Sequence, residues 1–125
     1  MIIGDIDDFK KVNDTYGHNI GDDVLVNVAE IITSQIPEDA YVCRWGGEEI
    51  LILIHDPAQT AVSIAEKIRN KIAESITQTE DIPIHITMTF GIAEYIPGLS
   101  ITKLISVADD NLYKGKKDGK NRVVA

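Results

Sequence analysis

The chain has 125 residues, 44% of them hydrophobic, which suits one compact domain with a core of its own. Twelve Lys and Arg against twenty Asp and Glu leave a net charge of −8. That balance argues against broad binding to nucleic acid or anionic membranes, but leaves room for a phosphate-bearing small molecule partnered by metal ions and local cations. The single cysteine, Cys43, allows no internal disulfide and reads as a small apolar residue in a strand of a protein kept reduced, and no 18-residue apolar run or secretory-type leader is expected to take the chain into or across a membrane.

In chain order, residues 1–7 read as a short strand, with Asp5 and Asp7 on one face by two-residue alternation. A helix is expected from Phe9 to about Tyr16, ending near Gly17, and a second from near Asp22, with Leu25, Val28, Ile31, Ile32 and Ile36 as its apolar stripe and Pro37 at its end. Residues 41–45 and 50–54 read as two strands joined by a Gly46-Gly47 hairpin. The run Ile50-Leu-Ile-Leu-Ile54 is apolar on both faces, which predicts a central strand covered on both sides. Asp56-Pro57 looks like a capped helix start, followed by a face of Ala61, Ile64, Ala65, Ile68 and Ile72. Ile84, Ile86, Met88, Phe90 and Ile92 alternate with His85, Thr87, Thr89 and Gly91 as one strand, and Ser100 caps a last helix facing inward through Ile101, Leu104, Ile105, Ala108 and Leu112. Residues 122–124 could close the sheet with a short strand, beyond a basic cluster of Lys114, Lys116, Lys117, Lys120 and Arg122. This order of elements implies a mixed or antiparallel sheet with helices packed against it, an α/β (α+β) domain, with a plain ferredoxin-like fold equally compatible.

Two blocks carry the chemistry. Asp5 and Asp7 end a strand, and Glu48 and Glu49 sit at a hairpin tip behind Gly46-Gly47. If those strands are neighbours, their carboxylates converge, and close like charges raise one another's pKa unless a cation intervenes. Hard oxygen donors of this kind suit Mg²⁺ or Mn²⁺. The glycines serve the hairpin, and also let a ligand lie against the backbone.

The stretch Asp5-Ile-Asp-Asp-Phe-Lys-Lys-Val-Asn-Asp-Thr-Tyr-Gly-His-Asn-Ile-Gly-Asp22, together with Arg44-Trp-Gly-Gly-Glu-Glu-Ile50, resembles the GGDEF family of nucleotide cyclases. The resemblance covers nearly the whole chain, 1–125. It implies a palm-like nucleotide-cyclase fold with a βαββαβ core. It also implies a diguanylate cyclase: an enzyme that condenses two GTP into cyclic di-GMP and two pyrophosphates, each of two protomers holding one GTP. On this resemblance Asp5 is a metal ligand through its carboxylate and Ile6 through its carbonyl. Glu48 completes the metal site and accepts the proton, and Glu49 assists. Lys10 stabilises charge on the transferring phosphoryl group. Asn13 and Asp22 hydrogen-bond guanine, His18 is a substrate-binding position, Gly46 and Gly47 let the nucleotide approach, and Lys116 and Lys120 meet phosphates. A homodimeric partner, an upstream sensory or regulatory domain and a cytoplasmic location, with any membrane association residing in a parent protein, are further implications.

The chain departs from the family pattern in four places. Its usual opening segment, of Asp-x-Leu-Thr-Gly-Leu-x-Asn-Arg type, is absent, so the domain is expected to be truncated at its N-terminus. Ile50 stands for the aromatic that closes the signature. Pro37-Glu-Asp-Ala40 stands where an Arg-x-x-Asp product-inhibition motif is usual, and Lys120 replaces an arginine, keeping the charge but losing the planar fork. The alternative function is a non-enzymatic domain that binds GTP or cyclic di-GMP. Intact Asp5, Lys10, Glu48 and Glu49 favour the enzyme.

Overall fold

The computed structural model of the chain describes residues 1–79 and 82–125. Its elements are β1 (Ile2–Ile6), α1 (Phe9–Tyr16), α2 (His18–Gln35), β2 (Tyr41–Gly46), β3 (Glu49–Leu53), α3 (Ala58–Glu74), β4 (Met88–Ile92), α4 (Ile101–Lys117) and β5 (Val123–Val124). The strands form one sheet in the order β2-β3-β1-β4-β5, antiparallel throughout except for the parallel β4–β5 pair. The sheet is therefore mixed and carries the expected βαββαβ core.

Alternation along β1 sorts its side chains between two helical layers. Ile2 and Ile6 face a core built with Val24, Val28 and Ile32 of α2 and Ala61, Ala65, Ile68 and Ile72 of α3. Ile3 faces the other way, into a smaller core with Leu51 and with Leu104, Ala108 and Leu112 of α4. Asp5 shares the parity of Ile3, so it emerges on the α4 side.

Four local expectations need correction. α2 begins at His18, not near Asp22, because Gly17 alone (φ 91°) turns the chain between α1 and α2. α3 begins at Ala58 with Pro57 at its cap and no side-chain cap, so Asp56 does not perform that role. Only Met88–Ile92 of the 84–92 alternation is a strand; Ile84 makes an isolated bridge with Thr77. Finally, β1 is the central strand. β3 is interior to the sheet, with Ile50, Leu51 and Ile52 buried, but Leu53 is exposed, and edge strand β2 is exposed along its length, Cys43 included. Ser100 does cap α4, its hydroxyl accepting from the Lys103 N–H at 3.1 Å.

Candidate functional site

The site gathers where β1, the β2–β3 hairpin and α4 meet. Asp5 is the register partner of Glu49 across the β1–β3 ladder, and the Ile6 N–H donates to the Glu48 carbonyl at 3.4 Å. The hairpin turns through Gly47 at φ 51°, with Arg44 Nε donating to its carbonyl at 2.6 Å. The two sequence blocks are thus joined by backbone pairing.

A lysine sits among these acids. Lys116 Nζ lies 2.6 Å from Asp5 Oδ1 and 2.7 Å from Asp7 Oδ1. Burial pushes the Asp5 carboxyl up, and the Glu48 and Asp7 charges add to this against the opposing Lys116 contact. Burial likewise raises Glu49, followed by the charges of Asp5, Asp109 and Glu48. Asp7 behaves oppositely. Burial raises it, but hydrogen bonds from Lys116, Thr87, Thr89 and the Asn121 N–H outweigh that and hold it below the usual carboxylate range.

Raised carboxyl pKa values, as at Asp5 and Glu49, are what a divalent cation relieves, and with the neighbouring Glu48 these hard oxygen donors fit Mg²⁺ or Mn²⁺. Among the described residues, no three His, Cys, Asp or Glu side chains stand grouped as a ready ligand set. The counter-charge in the present arrangement is the Lys116 ammonium.

Beside the hairpin lies a cavity of about 530 Å³, within the usual range for small-molecule sites, lined by Phe9, Lys10, Asn13, Asp14, His18, Asp22, Leu25, Arg44, Gly47 and Glu48. The expected base-binding residues Asn13, His18 and Asp22 therefore line the same cavity as Lys10 and the hairpin residues Gly47 and Glu48. Asn13 Oδ1 is buried without a hydrogen-bond partner. It is turned against Gly21, where an added Cβ would fall 1.9 Å from it, so no larger residue fits at 21 while Asn13 keeps this position. Gly46 precedes the turn at the end of β2 and does not line the cavity.

Lys116 and Lys120 stand apart from that cavity, on the α4 side. Lys120 Nζ lies 2.6 Å from Asp8 Oδ1, both groups being exposed. The basic cluster is thus partly committed to carboxylates at the end of β1 and in the turn to α1, while Lys117 rests over the Tyr113 ring. Sequence reasoning grouped Asp7 with Asp5 by alternation but gave it no partners, and it did not single out Asp8, Thr87, Thr89 or Asn121 as site residues. The usable signal was the shared two-residue period that puts Asp5 with Asp7 and Thr87 with Thr89.

The chain matches the family described as diguanylate cyclase, GGDEF domain, over residues 1–122. It is 40% identical over 126 residues to diguanylate cyclase DgcM of Escherichia coli K12, covering 100% of this chain and 30% of that protein. It is 39% identical over 125 residues to diguanylate cyclase A of Treponema denticola, covering 98% of this chain and 34% of that one. The chain thus spans about a third of the length of these curated relatives. Among solved structures, the GGDEF domain of DgcB from Caulobacter crescentus in complex with c-di-GMP superposes with TM-score 0.93 at 34% identity, covering 99% of this chain and 75% of that chain. The active GGEEF domain of a diguanylate cyclase from Vibrio cholerae superposes with TM-score 0.87 at 35% identity, covering 98% and 79%.

Proposed function

The chain belongs to the GGDEF, diguanylate cyclase, family, and from that premise we propose that it is a catalytic cyclase domain, residues 1–125, that condenses two GTP into cyclic di-GMP and two pyrophosphates. The observation that carries this reading is that the two sequence blocks line one cavity, Lys10, Asn13, His18 and Asp22 from the first and Arg44, Gly47 and Glu48 from the second.

Each protomer holds one GTP. Asp22 accepts from guanine N1–H and the 2-amino group, and the Asn13 amide donates to a ring acceptor. Gly46 and Gly47 let the nucleotide approach the hairpin, and His18 bounds the base site. Lys116 and Lys120 hold phosphates, leaving Lys10 for the charge that grows on the transferring phosphoryl group. Asp5, Glu48, Glu49 and the Ile6 carbonyl would hold Mg²⁺ or Mn²⁺, which lowers the pKa of the attacking hydroxyl and neutralises equatorial charge. Glu48 takes the proton as the 3′-oxygen of one GTP attacks the α-phosphorus of the other and pyrophosphate departs. Apposition of two half-sites supplies the in-line geometry, so a second GGDEF protomer is required. An upstream sensory domain that sets this apposition, and a cytoplasmic location where GTP is available, complete the reading. No helix among the described residues is long and apolar enough to cross a membrane.

Incubation with Mg²⁺ and either GTP or ATP, followed by identification of products, tests the proposal. Cyclic di-GMP and pyrophosphate from GTP alone are expected. Tight GTP or cyclic di-GMP binding without turnover would instead identify a regulatory binding domain, and a product from ATP would overturn the guanine assignment.

A further inference from the structure

Behind Lys116 lies a buried acid that gathers donors from three parts of the chain. Asp7 is 5% exposed, yet it accepts hydrogen bonds from Thr87 Oγ1 at 2.6 Å, Thr89 Oγ1 at 2.7 Å, Lys116 Nζ at 2.7 Å and the Asn121 N–H at 3.0 Å. These donors come from the strand side, from α4 and from the turn beyond it. A buried carboxylate with this many donors is fixed in place, and it fixes what binds it.

Two consequences follow for the cations. Lys116 is a flexible chain whose ammonium also meets the Asp5 carboxylate at 2.6 Å and the Asp5 carbonyl at 3.3 Å, and Asp7, at 2.7 Å and nearly fully buried, adds the anchor on its far side. Lys120 and Asn121 both have left-handed backbone, φ 63° and 46°, a conformation that asparagine adopts readily but that lysine holds mainly when its surroundings impose it. The Asn121 N–H bond to Asp7 is one such restraint, and the Lys120 N–H bond to the Gly115 carbonyl at 3.0 Å is another. α4 comes close enough for this because residue 115 lacks a side chain: a Cβ there would lie 2.7 Å from Thr89 Cγ2.

From this geometry we infer that Asp7, held by Thr87 and Thr89, is a positioning residue that places Lys116 and the Lys120 turn for the β- and γ-phosphates of GTP. The inference rests on the reading of Lys116 and Lys120 as phosphate ligands. It assigns Asp7 a role distinct from metal binding, although Asp7 is only two residues from Asp5.

Calorimetric titration of the protein with GTP and with GMP, each with Mg²⁺, separates the possibilities. Asp7→Asn keeps the shape but presents an amide to donors. GTP affinity should fall about tenfold, the scale of a lost charge-assisted hydrogen bond, while GMP affinity, which needs no β- or γ-phosphate contact, stays within about twofold of the parent value by the same accounting. In a Lys116→Met, Lys120→Met background, Asp7→Asn should add nothing further, since a residue acting through others is silent without them. If Asp7→Asn does not fold by circular dichroism, Thr89→Val, which deletes one donor to Asp7 and keeps the volume, carries the test with a smaller loss of GTP binding and none for GMP. Equal losses for GTP and GMP would make the role merely structural and overturn the inference. So would tighter GTP binding, which would mean that Asp7 competes with phosphate for Lys116. Undiminished GTP binding by Lys116→Met, Lys120→Met would instead overturn the phosphate assignment itself.

Discussion

Asp5 lies directly opposite Glu49 in the β1–β3 ladder, so two acids occupy a cross-strand pair where like charges cost roughly 0.2–1 kcal/mol. Lys116, 2.6 Å from Asp5, offsets part of that repulsion. In metal-free protein, Glu49→Gln should therefore raise stability by about 0.5 kcal/mol, seen as a higher denaturant midpoint, while cyclase activity falls. Unchanged or lower stability would show that Lys116 already neutralises the pair.

Asp5→Asn and Glu48→Gln should each bring cyclic di-GMP production to background and weaken Mg²⁺ binding, read by titration of the metal. Asp5 is half-buried opposite Glu49, and Glu48 adjoins both the pairing strand and the cavity, so both stand where the cluster's charge is concentrated. Either variant turning over at a near-normal rate would remove it from the metal site.

Base selectivity should reside in Asn13 and Asp22. Adenine offers an acceptor at N1 where guanine offers a donor, which would leave the Asp22 carboxylate unpaired at a cost of about 1–3 kcal/mol. Calorimetry with GTP and ATP measures the difference directly, and Asp22→Ala should narrow it. Gly21→Ala should have a related effect, because its methyl would displace the Asn13 amide.

Acid stability should depend on Asp7. Its folded-state pKa lies below the ordinary value, so its stabilising contribution is complete above an unfolded pKa of about 3.9. That contribution is lost as pH falls through the lower folded value, since the unfolded chain then binds the proton first. The stability gap between the parent protein and Asp7→Asn should be constant at neutral pH and close below about pH 4. Denaturant titrations from pH 7 to pH 2 read this out, and a gap that widens in acid would reverse the sign.

Cyclic di-GMP should not bind tightly beside residues 37–40. The segment Pro37-Glu-Asp-Ala40 is a turn closed by the Ala40 N–H on the Pro37 carbonyl at 3.1 Å, and it presents no cation to grip a phosphate. Product titration monitored at these positions should show no response at low micromolar concentration, a range in which tight sites saturate.

What could be read from the sequence followed the physics that is local. The helices and strands appear in the expected order because their apolar periods are strong, and Ser100 caps where it should. The errors arose where a residue type has two uses. Asp22 resembles a first-turn acid but sits a turn inside α2, where it lines the cavity. The β3 run is apolar on both faces, which does not tell a face covered by this chain from one left open, and Leu53 and Tyr41 are open. Asp7 went unassigned because its partners Thr87, Thr89, Lys116 and Asn121 lie far along the chain. Their meeting depends on β1 and β4 being neighbours, and nothing in local periodicity specifies that.

The strand order has a consequence for the protein's birth on the ribosome. β1 is made first, yet its partners are β3 and β4, and Ile2 waits for Ile92 before its ladder can close. The acids of β1 meet Lys116 only after α4 has emerged. Long-range pairings of this kind form late and slowly. No nascent or half-assembled chain can therefore bring Asp5, Asp7 and Lys116 together, and the cluster closes only once α4 has been translated.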